Sequence, residues 1–101
     1  MNQTEYLDMF QSLTKKMVEI TTAKNNDYAS VDDPFQNFRE FGTLGFLVRM
    51  SDKMARLRTL LGSNKKPAVV DETVEDTLMD LSIYCLLLIC WLKAEPKSSG
   101  G

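Results

Sequence analysis

Three carboxylates, Glu72, Asp76 and Asp80, recur at every fourth position of the segment ETVEDTLMDLSIYCLLLICW, and Glu75 lies among them. On a helix this spacing stacks side chains along one side. Acids so arranged can jointly hold a hard divalent cation, with magnesium the natural candidate for an all-oxygen ligand set. Earlier in the chain Arg49, Lys53, Arg56 and Leu60 fall within a narrow sector of a helical wheel, with Asp52 at its margin. Such cations can grip phosphate oxygens. A metal held by acids, opposite a phosphate held by bases, suits nucleoside polyphosphates. The same charges also have a plainer use, as salt bridges that fix the register of two packed helices. Residue types alone leave both uses open.

A second group precedes these. In Lys24, Asp27 and Tyr28 the lysine could meet phosphate, the aspartate a sugar hydroxyl or an exocyclic amine, and the tyrosine the face of a base. Read structurally, the same residues are a lysine at a helix C-terminus followed by an Asp-rich turn, because NNDYASVDD has the composition of a loop. Phe35, Phe38 and Phe41 recur every third residue and are expected in the core rather than as a stacking platform. Asn37, between two of them, could read a base edge or cap a turn.

Composition narrows the chemistry. The chain of 101 residues has no histidine, which excludes Cys/His zinc sites and histidine-based triads and leaves carboxylates as metal ligands. A net charge of -2 gives no global attraction to nucleic acid or anionic lipid, so no direct nucleic-acid binding is expected. Cys85 and Cys90 sit five positions apart in an apolar run, where a helix points them in different directions; they read as core thiols in a reducing cytosol. The N-terminus MNQTEYLDMF lacks the layout of a signal peptide. The apolar stretch from Leu81 to Leu92 falls short of the ~20 residues that span a bilayer. A cytoplasmic protein with no membrane segment is expected.

The elements that must position these residues are helical. Residues 4 to 24 place Tyr6, Phe10, Leu13, Met17 and Ile20 on one side of a helix that Thr4 can cap. Asp33 and Pro34 open a short aromatic helix that Gly42 stops. Thr43 can cap a second long helix to about Leu61, with Phe46, Met50, Met54, Leu57 and Leu61 on its apolar side and Gly62 at its end. After the loop GSNKKPA, a final helix runs from about Asp71 to about Ala94, with Glu72 and Glu75 in its positive first turn. The fold class is therefore all-α, a bundle of three long helices and one short aromatic helix. It forms one domain over residues 1–95, with 96–101 a disordered tail. The short linker makes the last two long helices an antiparallel hairpin. Pairing Leu61 with Asp71 brings Arg56 near Asp76, and Asp52 and Lys53 near Asp80. Ile83, Tyr84, Leu86, Leu87, Leu88, Ile89, Trp91 and Leu92 make the end of the last helix apolar nearly all round, more than so small a monomer can bury, so a homo-oligomer is expected.

Taken in order, Lys24, Asp27 and Tyr28, then Phe35, Asn37 and Phe38, then Gly45, Arg49, Asp52, Lys53, Arg56 and Leu57, then Glu72, Asp76, Asp80 and Tyr84 resemble the small phage and bacterial family called nucleotide modification associated domain 1. The resemblance runs from Lys24 to Tyr84. More distantly, an acid-bearing helical hairpin is similar to the MazG-like all-α nucleoside triphosphate pyrophosphohydrolases, where acids on two adjacent helices bind magnesium and direct water at the α-phosphate. Those enzymes carry an E-E-x-x-E element on the first of the two helices. Here that face holds Arg49, Asp52, Lys53 and Arg56, and only Glu72, Glu75, Asp76 and Asp80 can stand for the second acidic half. Bases in place of acids weaken a multi-metal site and strengthen direct phosphate binding.

Three functions follow as expectations. The first is the binding of a nucleotide or nucleotide-derived phosphate ligand by Arg49, Lys53 and Arg56, with Asp52, Lys24, Asp27, Tyr28 and Asn37 completing the site. In the phage setting the resemblance implies, in a host cytoplasm, that serves modified-nucleotide metabolism or sequesters a signalling nucleotide. The second is magnesium-dependent hydrolysis of a nucleoside triphosphate to monophosphate and pyrophosphate, with Glu72, Asp76 and Asp80 as ligands and Glu75 or Asp52 positioning water. The third is a structural oligomerisation module whose charges set register.

Overall fold

A computed structural model of the chain describes residues 1–28, 35–62 and 72–94, the side chains of 25–28, 72 and 73 excepted. The fold is all-α. Three long helices, α1 (Gln3–Tyr28), α2 (Gly42–Leu61) and α3 (Glu72–Ala94), carry the chain, and no strand occurs among the described residues. The chain divides into two compact units, Met1–Asn37 and Phe38–Gly101.

In the first unit α1 begins earlier and ends later than its apolar pattern indicates. Its cap is Asn2, not Thr4: the Asn2 Oδ1 accepts the Glu5 backbone N–H at 2.8 Å, and the Glu5 Oε1 accepts the Asn2 N–H at 3.3 Å. Two donors that a helix start leaves orphaned are thereby satisfied reciprocally. At the other end the helix continues through Asn25, Asn26, Asp27 and Tyr28, where a loop was expected. Tyr6, Phe10 and Leu13 share a side as predicted and are exposed, while Met17 and Ile20 are half-buried. Tyr6 and Phe10 lie with ring centroids 6.2 Å apart.

Between α1 and α2 the described residues hold a single turn of 3-10 helix, Gln36–Phe38. The expected start of a longer aromatic helix at Asp33 and Pro34 lies outside the described residues. Phe35 is buried, but Phe41 is 66% exposed, which corrects its assignment to the core. Phe41 occupies the N-cap position of α2 without a side-chain cap hydrogen bond. Gly42 follows with φ +56°, a left-handed conformation that costs a residue with a Cβ about 1–2 kcal/mol. The 3-10 turn ends at Phe38, and Gly42 opens α2 instead of stopping an aromatic helix. Thr43 is not the cap; its hydroxyl accepts the Trp91 indole N–H at 3.2 Å.

The second unit is built on an α2–α3 hairpin. Thr43 meets Trp91, Lys53 meets Asp80 and Arg56 meets Thr77, so positions rise along α2 as they fall along α3 and the helices run antiparallel. Buried and half-buried side chains of α2 are those of Phe46, Met50, Lys53, Leu57 and Leu60; on α3, Val74, Thr77, Leu81, Tyr84, Leu88 and Trp91 answer them, while Met79, Asp80, Ile83 and Leu87, also buried or half-buried, lie on the flank of Asp76. The α2 set and the six α3 positions that answer it alternate steps of three and four, the spacing of a seam between two packed helices. Phe46 is the centre, 0% exposed, stacked on Phe38 at a centroid distance of 4.0 Å and tilted against Trp91 at 5.8 Å. Tyr84 sets its ring edge-on to Phe38 at 6.3 Å, an arrangement aromatic pairs favour. Met54 and Leu61, expected in the apolar side of α2, are exposed; the seam takes their neighbours Lys53 and Leu60. Cys85 and Cys90 are free thiols and exposed, which corrects their placement in the core. Gly62 closes α2, its N–H donating to the Arg58 carbonyl at 2.8 Å. The loop 63–71 and the tail 96–101 lie outside the described residues.

Candidate functional site

The polar residues singled out by spacing fall in both units. Lys24, Asp27, Tyr28 and Asn37 belong to the first. The first three stand on α1 rather than on a loop, with Lys24 exposed, and the side chains of Asp27 and Tyr28 lie outside the described set. At helical spacing, positions 24, 27 and 28 share one side. Asn37 is exposed in the 3-10 turn.

The second unit brings bases and acids together. The Lys53 Nζ lies 3.2 Å from the Asp80 Oδ2, with the two side chains 30% and 28% exposed. This is the expected meeting of the two helices. One turn further along, Arg56 Nε donates to the Thr77 hydroxyl at 3.3 Å. Arg56 was expected to face Asp76. The register differs by one residue at that level, so Arg56 meets Thr77 and Asp76 stands exposed beside it. Thr77, buried at the seam, is the residue that sequence reasoning missed. Its signal was available: it follows Val74 by three and precedes Leu81 by four.

Arg49 and Asp52 are exposed on α2, and neither they nor Asp76 make an ion pair among the described residues. At about 100° per residue, Arg49, Asp52 and Arg56 lie on one flank of the α2 seam positions. Asp76 and Asp80 lie on the matching flank of α3. The hairpin therefore presents a charged side on which two arginines flank a lysine–aspartate pair. Such a surface can bind a phosphate through Arg49 and Arg56 while the acids meet hydroxyl or amine groups.

The expected metal ligands are Glu72, Glu75, Asp76 and Asp80. Glu75 and Asp76 are exposed, Asp80 engages Lys53, and the Glu72 side chain lies outside the described residues. Among the described residues no three His, Cys, Asp or Glu side chains are grouped so as to hold a metal ion. A cation at Asp80 would compete with the Lys53 ammonium for the same carboxylate.

Outside this group, Arg39 sets its guanidinium 5.4 Å from the centroid of the Trp91 ring, within cation–π range. Val74–Ala94, 21 residues, contains an 18-residue window of mean hydropathy 1.6, 17% of it buried, and is long and apolar enough to cross a membrane by length and composition alone. That span exceeds the Leu81 to Leu92 stretch because the helix interleaves few charges with its apolar residues. Comparison with protein-family models, curated proteins and solved structures finds no match for this chain.

Proposed function

We propose that this chain binds a nucleotide or a nucleotide-derived phosphate ligand on the charged side of the α2–α3 hairpin. The observation that supports this reading is the pair of cross-helix contacts, Lys53 to Asp80 at 3.2 Å and Arg56 to Thr77 at 3.3 Å. They hold two of the three bases in place, so a phosphate meets a partly pre-organised surface and little side-chain freedom is lost on binding. Arg49, one turn before Lys53, completes the grip. The order of residues resembling nucleotide modification associated domain 1 supports the same ligand class, and with it a role in modified-nucleotide metabolism or in holding a signalling nucleotide. The reading includes assembly into a homo-oligomer, because apolar side chains of α2 and α3 remain exposed.

Thermal shift against a panel of mono-, tri- and cyclic nucleotides tests this. A ligand at about 100 times its dissociation constant adds ~2.7 kcal/mol, on the order of 10 °C for a domain of this size. Arg49→Ala should remove that shift while leaving the ligand-free melting temperature within a degree or two, since the residue is exposed. No shift with any nucleotide would contradict the proposal. Pyrophosphate released from a nucleoside triphosphate with magnesium, and lost in Asp80→Ala, would instead favour the hydrolase.

A further inference from the structure

On α2 the buried and half-buried side chains keep to the seam, and on α3 they extend from the seam to Met79, Ile83 and Leu87 on the flank of Asp76 and Asp80. On α2, Leu44, Leu47, Ser51, Met54, Arg58 and Leu61 repeat the three–four spacing, and every one is exposed. On α3 the same holds for Glu75, Leu78, Ser82, Cys85, Ile89 and Leu92. At about 100° per residue each second row lies roughly a quarter turn from the seam. Because the helices are antiparallel, both rows emerge on the same side of the hairpin, opposite Arg49, Asp52 and Asp76. The hairpin thus has a charged side and an apolar side, and the large apolar residues of the latter are between 42% (Met54) and 62% (Leu44) exposed.

We infer that this apolar side is covered by a second copy of the same chain, giving a four-helix bundle in which α2 of each copy runs antiparallel to α3 of the other. The proposal rests on the homo-oligomer reading above and adds the face and the register. Three features point to a second copy. Within the chain, Lys53 pairs with Asp80 and Arg56 with Thr77. The same register applied between copies sets Leu44 against Ile89, Ser51 against Ser82 and Arg58 against Glu75 of the partner subunit. Apolar thus meets apolar, small meets small and base meets acid, twice over by the two-fold. Second, the Ser82 hydroxyl already donates to the Leu78 carbonyl at 2.8 Å, so covering it strands no donor. Third, the overlapping helices are about 27 Å long and, side by side, about 20 Å wide. That amounts to on the order of 500 Å² per copy, or about 1,000 Å² in all, the size at which specific association begins. A lipid surface fits less well, because Arg58 and Glu75 lie within the rows and would be drawn toward hydrocarbon.

Sedimentation equilibrium on the full chain tests both levels. The expected wild-type mass is at least twice the chain mass of 11.5 kDa, and Met54→Glu and Ile89→Glu should each shift it toward monomer with helical circular dichroism retained. Arg58→Glu and Glu75→Arg should each weaken assembly several-fold when alone. Mixed one to one they should restore it, because only between two different chains does every pair become complementary. A monomeric wild type, or a monomer that binds phosphatidylcholine vesicles, overturns the face and the homo-oligomer together. An assembly that persists in both glutamate variants overturns the face alone. Failure of the mixture to recover overturns the register.

Discussion

Phe46 touches Phe38 and Trp91 and has no exposed surface, so no other single side chain in the hairpin has more packing to lose. Phe46→Ala should cost about 3–5 kcal/mol, measured by urea unfolding, through lost transfer energy and the cavity left between the helices. A value below about 1 kcal/mol would mean that the aromatic cluster does not organise this end of the hairpin. The Lys53–Asp80 pair has a smaller expected effect. Both side chains keep roughly a third of their surface in water, so screening limits the coupling. A double-mutant cycle with Lys53→Ala and Asp80→Ala should return about 0.5–1 kcal/mol that shrinks with salt. Zero coupling at low salt would remove the ion pair as the clasp of the charged side. Gly42→Ala should destabilise by about 1–2 kcal/mol, because the turn requires a left-handed residue there.

At the scale of elements, helix existence was legible in the sequence, and helix ends less so. The apolar periods of α1, α2 and α3 overrode every other signal; the end of α2 and both ends of α3 fall within a residue of their expected places, while α2 starts with its cap at Phe41, two residues before the expected Thr43. The start of α1 was misassigned because two polar residues, Asn2 and Thr4, can both cap, and the choice depends on Glu5 lying three positions after Asn2. Asn2→Ala should therefore fray the first turn at a cost of about 0.5–2 kcal/mol, visible as faster amide exchange at Glu5 and Tyr6. The far end of α1 was misread because Asn, Asn and Asp disfavour helix only weakly, and a long helix already nucleated can run through them. The hairpin register was legible to within one residue. A spacing of four on each helix specifies Lys53 with Asp80, but whether Arg56 faces Asp76 or Thr77 depends on how the seam side chains interlock.

In the whole molecule, the hairpin has a row of charges and two exposed apolar rows on opposite sides. Charges at Arg49, Asp52, Arg56, Asp76 and Asp80 lie on one flank, and the exposed rows running from Leu44 and Leu78 lie on the other. The apolar excess was legible from composition alone, since α3 is rich in large side chains nearly all round. Its division into a packed seam and a second unfilled row was not, because both rows follow the same three–four step and only burial tells them apart. In the proposed reading, assembly uses the apolar rows and a phosphate meets Arg49 and Arg56 on the other flank.

The most direct measurement is a titration of nitrogen-15-labelled protein with the nucleotide that gives the largest thermal shift, followed amide by amide. Saturable changes are expected at Arg49, Asp52, Lys53, Arg56, Asp76 and Asp80, with Leu44, Leu47, Leu78 and Ile89 unmoved. Changes centred on those leucines and Ile89, or no saturable change at the arginines, would contradict the proposal.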